Sequence, residues 1–221
     1  MPALSDTGIR RASIRNMVGP QELAIKIEPW NNERVKPNSY DITLGRQFKW
    51  IDRQRLLTHH NQQHNTEYSV WNVGVGVTWG TVLALDPYDL PDDLYSDHVI
   101  GPSSPYILQP HGFVLGHTVE RITLGSQICA RLEGKSSLAR LGLAIHSTAG
   151  FIDAGWDGQI TLELFNFGPL PIMLHPDMAI GQLFFETLDA PAAKPYGAHA
   201  SSKYHGSEGV VGSAYGKNQR P

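Results

Sequence analysis

The sequence predicts a mostly β protein, a barrel or jelly roll with a short N-terminal helix and a mobile C-terminal tail. Short apolar runs with strand-like alternation recur along the chain, and the 22 glycines and 15 prolines favour turns over long helices. Residues 191–221 are mostly small and polar, which is typical of a segment that buries too little apolar surface to be ordered. We therefore expect a single β domain over residues 1–190 and a flexible tail over 191–221.

The predicted elements follow in chain order. Ser5 and Asp6 can cap a short helix that runs through Ile9–Ile14. Strand-like runs then occupy residues 24–28, 39–45, 106–116, 128–132, 159–165, 170–174 and 180–185. Because the breaks between the later runs are short and contain Gly and Pro, the pattern favours a mostly β barrel or jelly roll.

Residues 52–106 interrupt this pattern and are predicted to be an insertion. Alternation at Tyr68–Trp79 predicts a strand or hairpin within it. His59, His60 and His64 could bind a metal, but their spacing matches no standard site and no thiol is near. A solvated loop is therefore the favoured interpretation of these histidines.

Composition and charge exclude several classes of protein. The formal net charge of −3 offers no basic footprint for a nucleic-acid polymer. Cys129 is the only cysteine, so neither an intrachain disulfide nor a Cys-rich zinc site can form. The N-terminus lacks the pattern of a secretion signal, and no apolar run approaches the roughly 18 residues of a membrane helix. We expect a cytoplasmic protein without a membrane partner.

The segment Gly134-Lys-Ser-Ser-Leu-Ala-Arg140 indicates an anion site. A glycine precedes a cation and two hydroxyls, and a second cation follows five residues later. Hydroxyls and backbone N–H groups at a turn suit phosphate oxygens, and arginine can add a bidentate contact. The Walker sequence is absent, and a turn with exposed charges is the structural alternative.

Three further polar residues stand among apolar neighbours. In a strand over residues 159–165, Glu163 shares a face with Thr161 and Phe165, so its carboxylate is partly desolvated and suited to proton transfer. A glutamate facing water on a one-sided sheet is the alternative. Asp153 could hold a sugar hydroxyl or a water, or simply cap a turn, and His146 could be a hydrogen-bonded structural group.

Together these segments resemble the dCTP deaminase branch of the dUTPase superfamily. The resemblance covers residues 109–213 and is densest in four motifs: Gly134-Lys-Ser-Ser-Leu-Ala-Arg-Leu-Gly-Leu, His146-Ser-Thr-Ala-Gly-Phe-Ile-Asp, Ile160-Thr-Leu-Glu-Leu and Ile180-Gly-Gln-Leu. A weaker similarity occurs at Pro37-Asn-Ser-Tyr-Asp-Ile-Thr-Leu-Gly45. The resemblance implies a dUTPase-like distorted jelly-roll barrel and a homotrimer with active sites between subunits.

The family's functional residues map onto matching positions of this chain. The resemblance implies phosphate contacts from Lys135, Ser136, Ser137, Tyr196 and Lys203. Asp153 would contact the deoxyribose 3′-hydroxyl, the Thr161–Leu162 backbone would lie beside the base, and His146 and Ala149 would complete the binding site.

Catalysis is assigned by the same resemblance to Glu163, Arg140 and Ser136. Arg140 would help to place the attacking water, and Glu163 would shuttle protons. Zinc-dependent nucleobase deaminases carry a His-x-Glu and a Pro-Cys-x-x-Cys motif, and this sequence lacks both. We therefore expect zinc-free deamination of dCTP to dUTP for thymidylate synthesis, with Mg²⁺ entering on the triphosphate and dTTP as a candidate inhibitor.

Two rival functions remain, and the sequence leaves open whether the final product is dUTP or dUMP. Plain dUTPases of this superfamily carry an apolar residue where Glu163 stands, which argues against dUTPase activity alone. A non-catalytic nucleotide-binding regulator is favoured only by the insertion and by Ser207, which replaces the glutamine of the family's tail motif Lys-Tyr-x-x-Gln. The run Thr148-Ala149-Gly150-Phe151 resembles bifunctional members, which hydrolyse the product further to dUMP and pyrophosphate.

Overall fold

A computed structural model of the chain describes residues 2–18, 21–64, 85–198 and 202–215. The described residues fall into two compact units, one made of those within 1–48 and 99–211 and the other of those within 49–98 and 212–215. The α-helices are α1 (Asp6–Val18), α2 (Arg53–His64) and α3 (Ser136–Ala139). The strands are β1 (Ile25–Glu28), β2 (Val35–Lys36), β3 (Ser39–Thr43), β4 (Gln47–Ile51), β5 (Tyr95–Val99), β6 (Tyr106–Leu108), β7 (Phe113–Leu124), β8 (Ile128–Gly134), β9 (Leu143–Ala144), β10 (Phe151–Ile152), β11 (Asp157–Asn166), β12 (Ile172–Leu174) and β13 (Ala179–Thr187).

Antiparallel sheets build the first unit. In one sheet, β7 pairs with β1 and with β11, and β11 pairs in turn with β9. The second sheet has the strand order β10-β8-β13-β3-β2, and β6 pairs with β12 in a separate two-stranded sheet. Fully buried apolar side chains come from both large sheets, among them Ile122, Leu162, Leu183 and Phe185. The predicted mostly β class is confirmed, as jelly-roll-like sheets.

The long strand β7 continues well beyond the predicted end at residue 116. Its buried positions include Thr118 and Glu120, both with 0% exposure, so the apolar alternation that marks a strand is lost there. Glu120 is accommodated because its carboxylate accepts hydrogen bonds from Thr43 N at 2.9 Å and Thr43 Oγ1 at 2.8 Å and pairs with Arg34. Thr43 and Arg34 are far from Glu120 in sequence, so these partners become neighbours only in the folded chain.

The second unit corrects the loop predicted at His59, His60 and His64. These residues lie on α2, which begins after Asp52, whose Oδ1 accepts hydrogen bonds from Gln54 N at 2.9 Å and Arg55 N at 3.2 Å. Leu56 and Leu57 supply the buried side of the helix. The sequence was misleading because only these two apolar residues mark a helical face in a polar run. The strand or hairpin predicted at 68–79 lies outside the described residues.

The tail predicted to be mobile has defined partners where it is described. Tyr196 N donates to Ala154 O at 2.8 Å, and Gly206 N donates to Asp157 O at 2.7 Å. These contacts seat parts of the tail on the first unit. Within the described residues, no helix is long and apolar enough to cross a membrane.

Candidate active site

Glu163 lies on the half-buried face of β11. Ile160, Leu162 and Leu164 are buried on one face of this strand, whereas Thr161, Glu163 and Phe165 alternate with them on the other, as predicted. Ser147 N donates a 2.7 Å hydrogen bond to Glu163 Oε2, and Glu163 N donates to Ile145 O at 3.0 Å. The backbone that follows β9 therefore fixes both the main chain and the carboxylate of Glu163, a partner that sequence reasoning missed.

His146 precedes that amide and lies against a glycine. Its Nδ1 is buried and has no hydrogen-bond partner among the described residues. A Cβ added at Gly150 would lie 2.9 Å from Leu132 O and about 3.1 Å from the His146 ring. The glycine of the Thr148–Phe151 run therefore makes room for the imidazole. A cavity of about 300 Å³ lies beside His146, lined by Gly134, Ala139, Gly142, Leu143, Ala144, Ile145, His146 and Phe167.

The predicted phosphate residues follow the end of β8. Ser136, Ser137 and Arg140 are exposed in and after the single-turn helix α3. Lys135 Nζ lies 2.8 Å from Asp41 Oδ1, an ionic contact without hydrogen-bond alignment, and Lys36 Nζ lies 3.7 Å from Asp41 Oδ2. Asp41 is 7% exposed on β3, so one of the predicted phosphate-binding cations is held by a buried carboxylate. Sequence reasoning missed Asp41, although it lies in the weakly similar segment 37–45.

Asp153 and Tyr196 line one cavity of about 350 Å³. Its other lining residues are Cys129, Phe151, Ala154, Leu188, Ala192 and Lys194. Tyr196 is held at both ends, because its N–H bonds Ala154 and its hydroxyl accepts from Tyr204 N at 3.1 Å. The Trp156 ring lies 5.4 Å from the Tyr196 ring, centroid to centroid. The structure thus brings a predicted sugar contact and a predicted tail contact together.

The remaining predicted residues lie on β11, in the turn before β10 and in the tail. Leu162 has a fully buried side chain, so only its backbone would be available to a ligand. Thr161 Oγ1 accepts a 3.1 Å hydrogen bond from Val211 N. Ala149 is exposed in the turn, and Lys203 is half-buried next to Tyr204.

These residues form three groups within one chain. Glu163 neighbours His146 and Ser147, the phosphate residues neighbour Asp41, and Asp153 shares a cavity with Tyr196. The cavities beside His146 and Asp153 have no lining residue in common. Within the part of the chain that the structure describes, no group of three or more His, Cys, Asp or Glu residues is arranged to hold a metal.

Comparison with known proteins identifies the family. A family model described as dCTP deaminase-like matches residues 9–188. The chain belongs to this family. Proteins named "dCTP deaminase, dUMP-forming" are similar to it along most of its length. That of Beutenbergia cavernae is 41% identical over 201 residues, 90% of each chain, and that of Nocardia farcinica is 42% identical over 207 residues, 93% of this chain and 87% of its own.

A solved structure shares the fold of this dCTP deaminase-like chain. The 2′-deoxycytidine 5′-triphosphate deaminase from Agrobacterium tumefaciens has a TM-score of 0.53 and 19% sequence identity to it. The match covers 83% of this chain and 47% of that one, so the chain spans about half the length of that protein. At this identity the likeness concerns the fold alone.

Proposed function

We propose that the protein deaminates dCTP and hydrolyses the product further to dUMP and pyrophosphate. The observation that carries the proposal is the Glu163 carboxylate, held by Ser147 N on the half-buried face of β11. A carboxylate oriented in this way suits proton transfer at a bound base. The relatives named as dUMP-forming dCTP deaminases support both the substrate and the product.

The deamination is a hydrolytic exchange of ammonia for water. Water adds its oxygen to C4 of the cytosine while the ring nitrogen N3 gains a proton, and the C4–N bond then breaks to release ammonia and leave dUTP. Glu163 takes a proton from the attacking water and gives it to N3. It then takes the proton of the new C4 hydroxyl and gives it to the departing amino group, so one carboxyl group serves both transfers. Arg140 and Ser136 place the water beside the ring.

Substrate recognition is divided among the three groups of residues. Lys135, Ser136, Ser137, Tyr196 and Lys203 hold the phosphates in this proposal. Asp153 takes the 3′-hydroxyl, and the Thr161–Leu162 backbone, His146 and Ala149 enclose the base. The ion pair of Lys135 with Asp41 fits this role, because an ammonium group carries three N–H donors and can bind a carboxylate and phosphate oxygens together.

The second step converts dUTP and water into dUMP and pyrophosphate. Gly150 supports it, since the resemblance places a glycine there in bifunctional members, and this glycine makes room for His146. Asp153 orients the water that attacks the α-phosphorus, and pyrophosphate is the leaving group.

Magnesium enters as part of the substrate in this proposal. Mg²⁺ commonly binds through substrate phosphates with few protein carboxylates. We propose that no zinc takes part, because the sequence lacks the zinc-deaminase motifs. The dUMP product would serve thymidylate synthesis in the cytoplasm, with dTTP as an inhibitor at the same site.

A homotrimer completes the proposed site. Several large apolar side chains of the first unit are exposed: Leu170 by 73%, Phe167 by 68%, Leu141 by 62%, Met173 by 60%, Ile107 by 50% and Phe113 by 42%. Met173 pairs with Ile107 across β6 and β12, and Phe113 pairs with Phe165, whose ring lies 4.4 Å from that of Phe167. Apolar surface of this kind is typical of an interface between copies. A second copy would bring together residue groups that lie apart in one chain.

Product analysis tests the proposed function directly. The protein is incubated with dCTP and Mg²⁺, and the nucleotides are separated by chromatography. We expect dUMP, pyrophosphate and ammonia in equal amounts. Accumulation of dUTP would remove the second step, turnover of dUTP without turnover of dCTP would indicate a plain dUTPase, and binding of both without turnover would indicate a regulator.

A further inference from the structure

Residues 206–211 of the tail lie along β11 of the same chain. Gly206 N donates to Asp157 O at 2.7 Å, and Gln159 N donates to Ser207 O at 2.9 Å, which joins Gly158 and Ser207 in a parallel bridge. Val210 is buried in the same seat, with 5% exposure. The segment thus joins the edge of the strand that carries Glu163 through an isolated parallel bridge.

The side-chain amide of Gln159 joins this segment to the neighbouring strand. Its Oε1 accepts a 2.6 Å hydrogen bond from Gly209 N, while its Nε2 donates to Thr118 O at 3.0 Å and Val119 O at 2.9 Å. Both ends of the amide are therefore used, one by the tail and one by β7. The register of β11 against β7 shifts between Gln159 and Thr161, and the amide bonds to β7 at this irregularity.

Charged side chains also contact residues 206–211 and the start of β11. Arg121 on β7 donates to Asp157 Oδ2 at 2.5 Å and Oδ1 at 3.1 Å, and its Nη1 lies 3.4 Å from Glu208 Oε1. Glu208 is largely exposed, so this last pair adds little by itself. The main restraints on residues 206–211 are the backbone bonds and the Gln159 amide.

The anchor formed by residues 206–211 and Gln159 lies close in sequence to residues proposed to bind substrate, both in the tail and on β11. Tyr196 and Lys203 precede it in the tail, and Tyr204 N donates to the Tyr196 hydroxyl. On β11, Thr161 lies between Gln159 and Glu163, two residues from each. Its Oγ1 accepts the hydrogen bond from Val211 N. A single strand therefore carries the anchor of the tail, the backbone proposed to flank the base, and the proposed proton shuttle.

We propose that Gln159 is a positioning residue for the deaminase reaction. By holding Gly209 against β7, it keeps residues 206–211, which follow Tyr196 and Lys203 in the tail, in register with the strand that bears Glu163. It touches neither base nor phosphate, so its contribution is to substrate binding through preorganisation of the tail. This inference rests on the site assignment of the proposed function.

Gln159→Met tests the inference, because methionine has nearly the same length but neither amide group. We expect hydrogen exchange of the amides in residues 206–211 to become at least about tenfold faster, since hydrogen bonds that restrain the segment are lost. We also expect KM for dCTP to rise about tenfold with kcat within about threefold of the wild type. Gln127→Met is the matched control, since Gln127 is half-buried, lies outside the four motifs and donates one side-chain hydrogen bond, to Leu188 O at 3.1 Å. It should leave exchange of the tail and KM unchanged.

Gly209→Ala approaches the same anchor from the tail. Gly209 has φ +63°, and a Cβ there would lie 2.1 Å from Gln47 Oε1. We expect it to reproduce the rise in KM, and we expect Gln159→Met to add little in its presence, because the two changes act on one contact.

Four results separate the possible failures. Faster exchange with an unchanged KM would make the anchor purely structural and overturn the inference, as would an unchanged tail in Gln159→Met. Additive effects of the two substitutions would also overturn it. If the wild-type protein does not deaminate dCTP, the proposed function fails, and the positioning role fails with it, whatever the exchange of residues 206–211 shows about the anchor.

Discussion

The Glu163 carboxylate combines a fixed orientation with partial burial. The alternation of β11 directs it away from the core, and Ser147 N holds one of its oxygens at 2.7 Å. The sequence predicted the face of the strand, because alternation depends only on the period of extended backbone. The Ser147 contact could not be predicted, since it depends on how the backbone after β9 passes the strand.

Glu163→Gln is expected to lower kcat for deamination by about 10²- to 10⁴-fold, the range that general acid–base groups contribute. The glutamine oxygen can still accept from Ser147 N, so binding of dCTP should change little. Conversion of dUTP to dUMP should persist, because Asp153 is assigned to that step. Product chromatography with dCTP and with dUTP measures both, and Glu133→Gln, an exposed position on β8, is the control. Full deamination by Glu163→Gln would contradict the mechanism.

The lowered pKa of Asp157 makes the free energy of unfolding depend on pH. Burial pushes the pKa of Asp157 upward, but hydrogen bonds from Arg121 and Thr123 and the Arg121 charge outweigh it, so the pKa lies below its ordinary value of 3.8. The unfolded chain therefore binds this proton more readily. The stabilisation is complete above pH 3.8 and is lost as the pH falls through the folded-state pKa.

Asp157→Asn should lower the free energy of unfolding at pH 7 by about 1–3 kcal/mol, the usual range for a lost charged hydrogen bond. The difference from the wild type should shrink as the pH falls below 3.8. Urea unfolding at fixed protein concentration and several pH values measures it. Asp97→Asn, which removes the more exposed ion pair with Lys49, should change stability little. A difference that stays constant down to acid pH would show that the charge of Asp157 is not responsible.

At the scale of elements, the meeting of β3 and β7 depends on a glycine. Gly45, two residues after the end of β3, donates from its N–H to His117 O at 2.7 Å, and a Cβ at this position would lie 2.2 Å from the His117 ring atoms Cε1 and Nε2. The ring is 8% exposed, and its Nδ1 bonds Thr118 O at 2.8 Å, so it has little freedom to move. The segment 37–45 therefore needs its final glycine for packing.

Gly45→Ala should reduce the free energy of unfolding by about 1–3 kcal/mol through overpacking against His117. The urea midpoint reports the change. Gly134→Ala provides the comparison, because the nearest atom to its added Cβ is Ile145 Cγ1 at 3.9 Å, and it should be nearly neutral. Equal effects of the two substitutions would refute the steric explanation.

A turn, a helix start and a strand show how much of an element can be predicted from sequence. Asp177 has a φ of +60°, a left-handed conformation that Asp tolerates better than most residues. The start of α2 carried a readable signal, because Asp52 caps it, yet its polar composition favoured a loop. Strand β7 could not be followed past Gly116, since buried Thr118 and Glu120 hide its alternation.

At the scale of the whole molecule, the exposed apolar side chains predict assembly. Met173→Glu places a charge opposite Ile107, in the surface formed by the exposed apolar side chains of β6, β12 and their neighbours. We expect wild-type protein to have three times the 24.4 kDa chain mass in light scattering, and Met173→Glu to shift to smaller species and to lose activity in parallel. Val99→Glu, an exposed position outside this surface, should leave the mass unchanged. A wild-type monomer with full activity would contradict the proposal that the site is shared between copies.

The sequence by itself determined the β class and the family, and it predicted the residue types of the candidate site. Strand periodicity and short ordered motifs are local, so they can be read along a single chain. Tertiary structure alone decided which groups meet: Ser147 with Glu163, Asp41 with Lys135, Asp153 with Tyr196, and Gln159 with Gly209. These pairs depend on how sheets and tail pack, because residues far apart in sequence become neighbours only when the apolar faces of the strands are buried together.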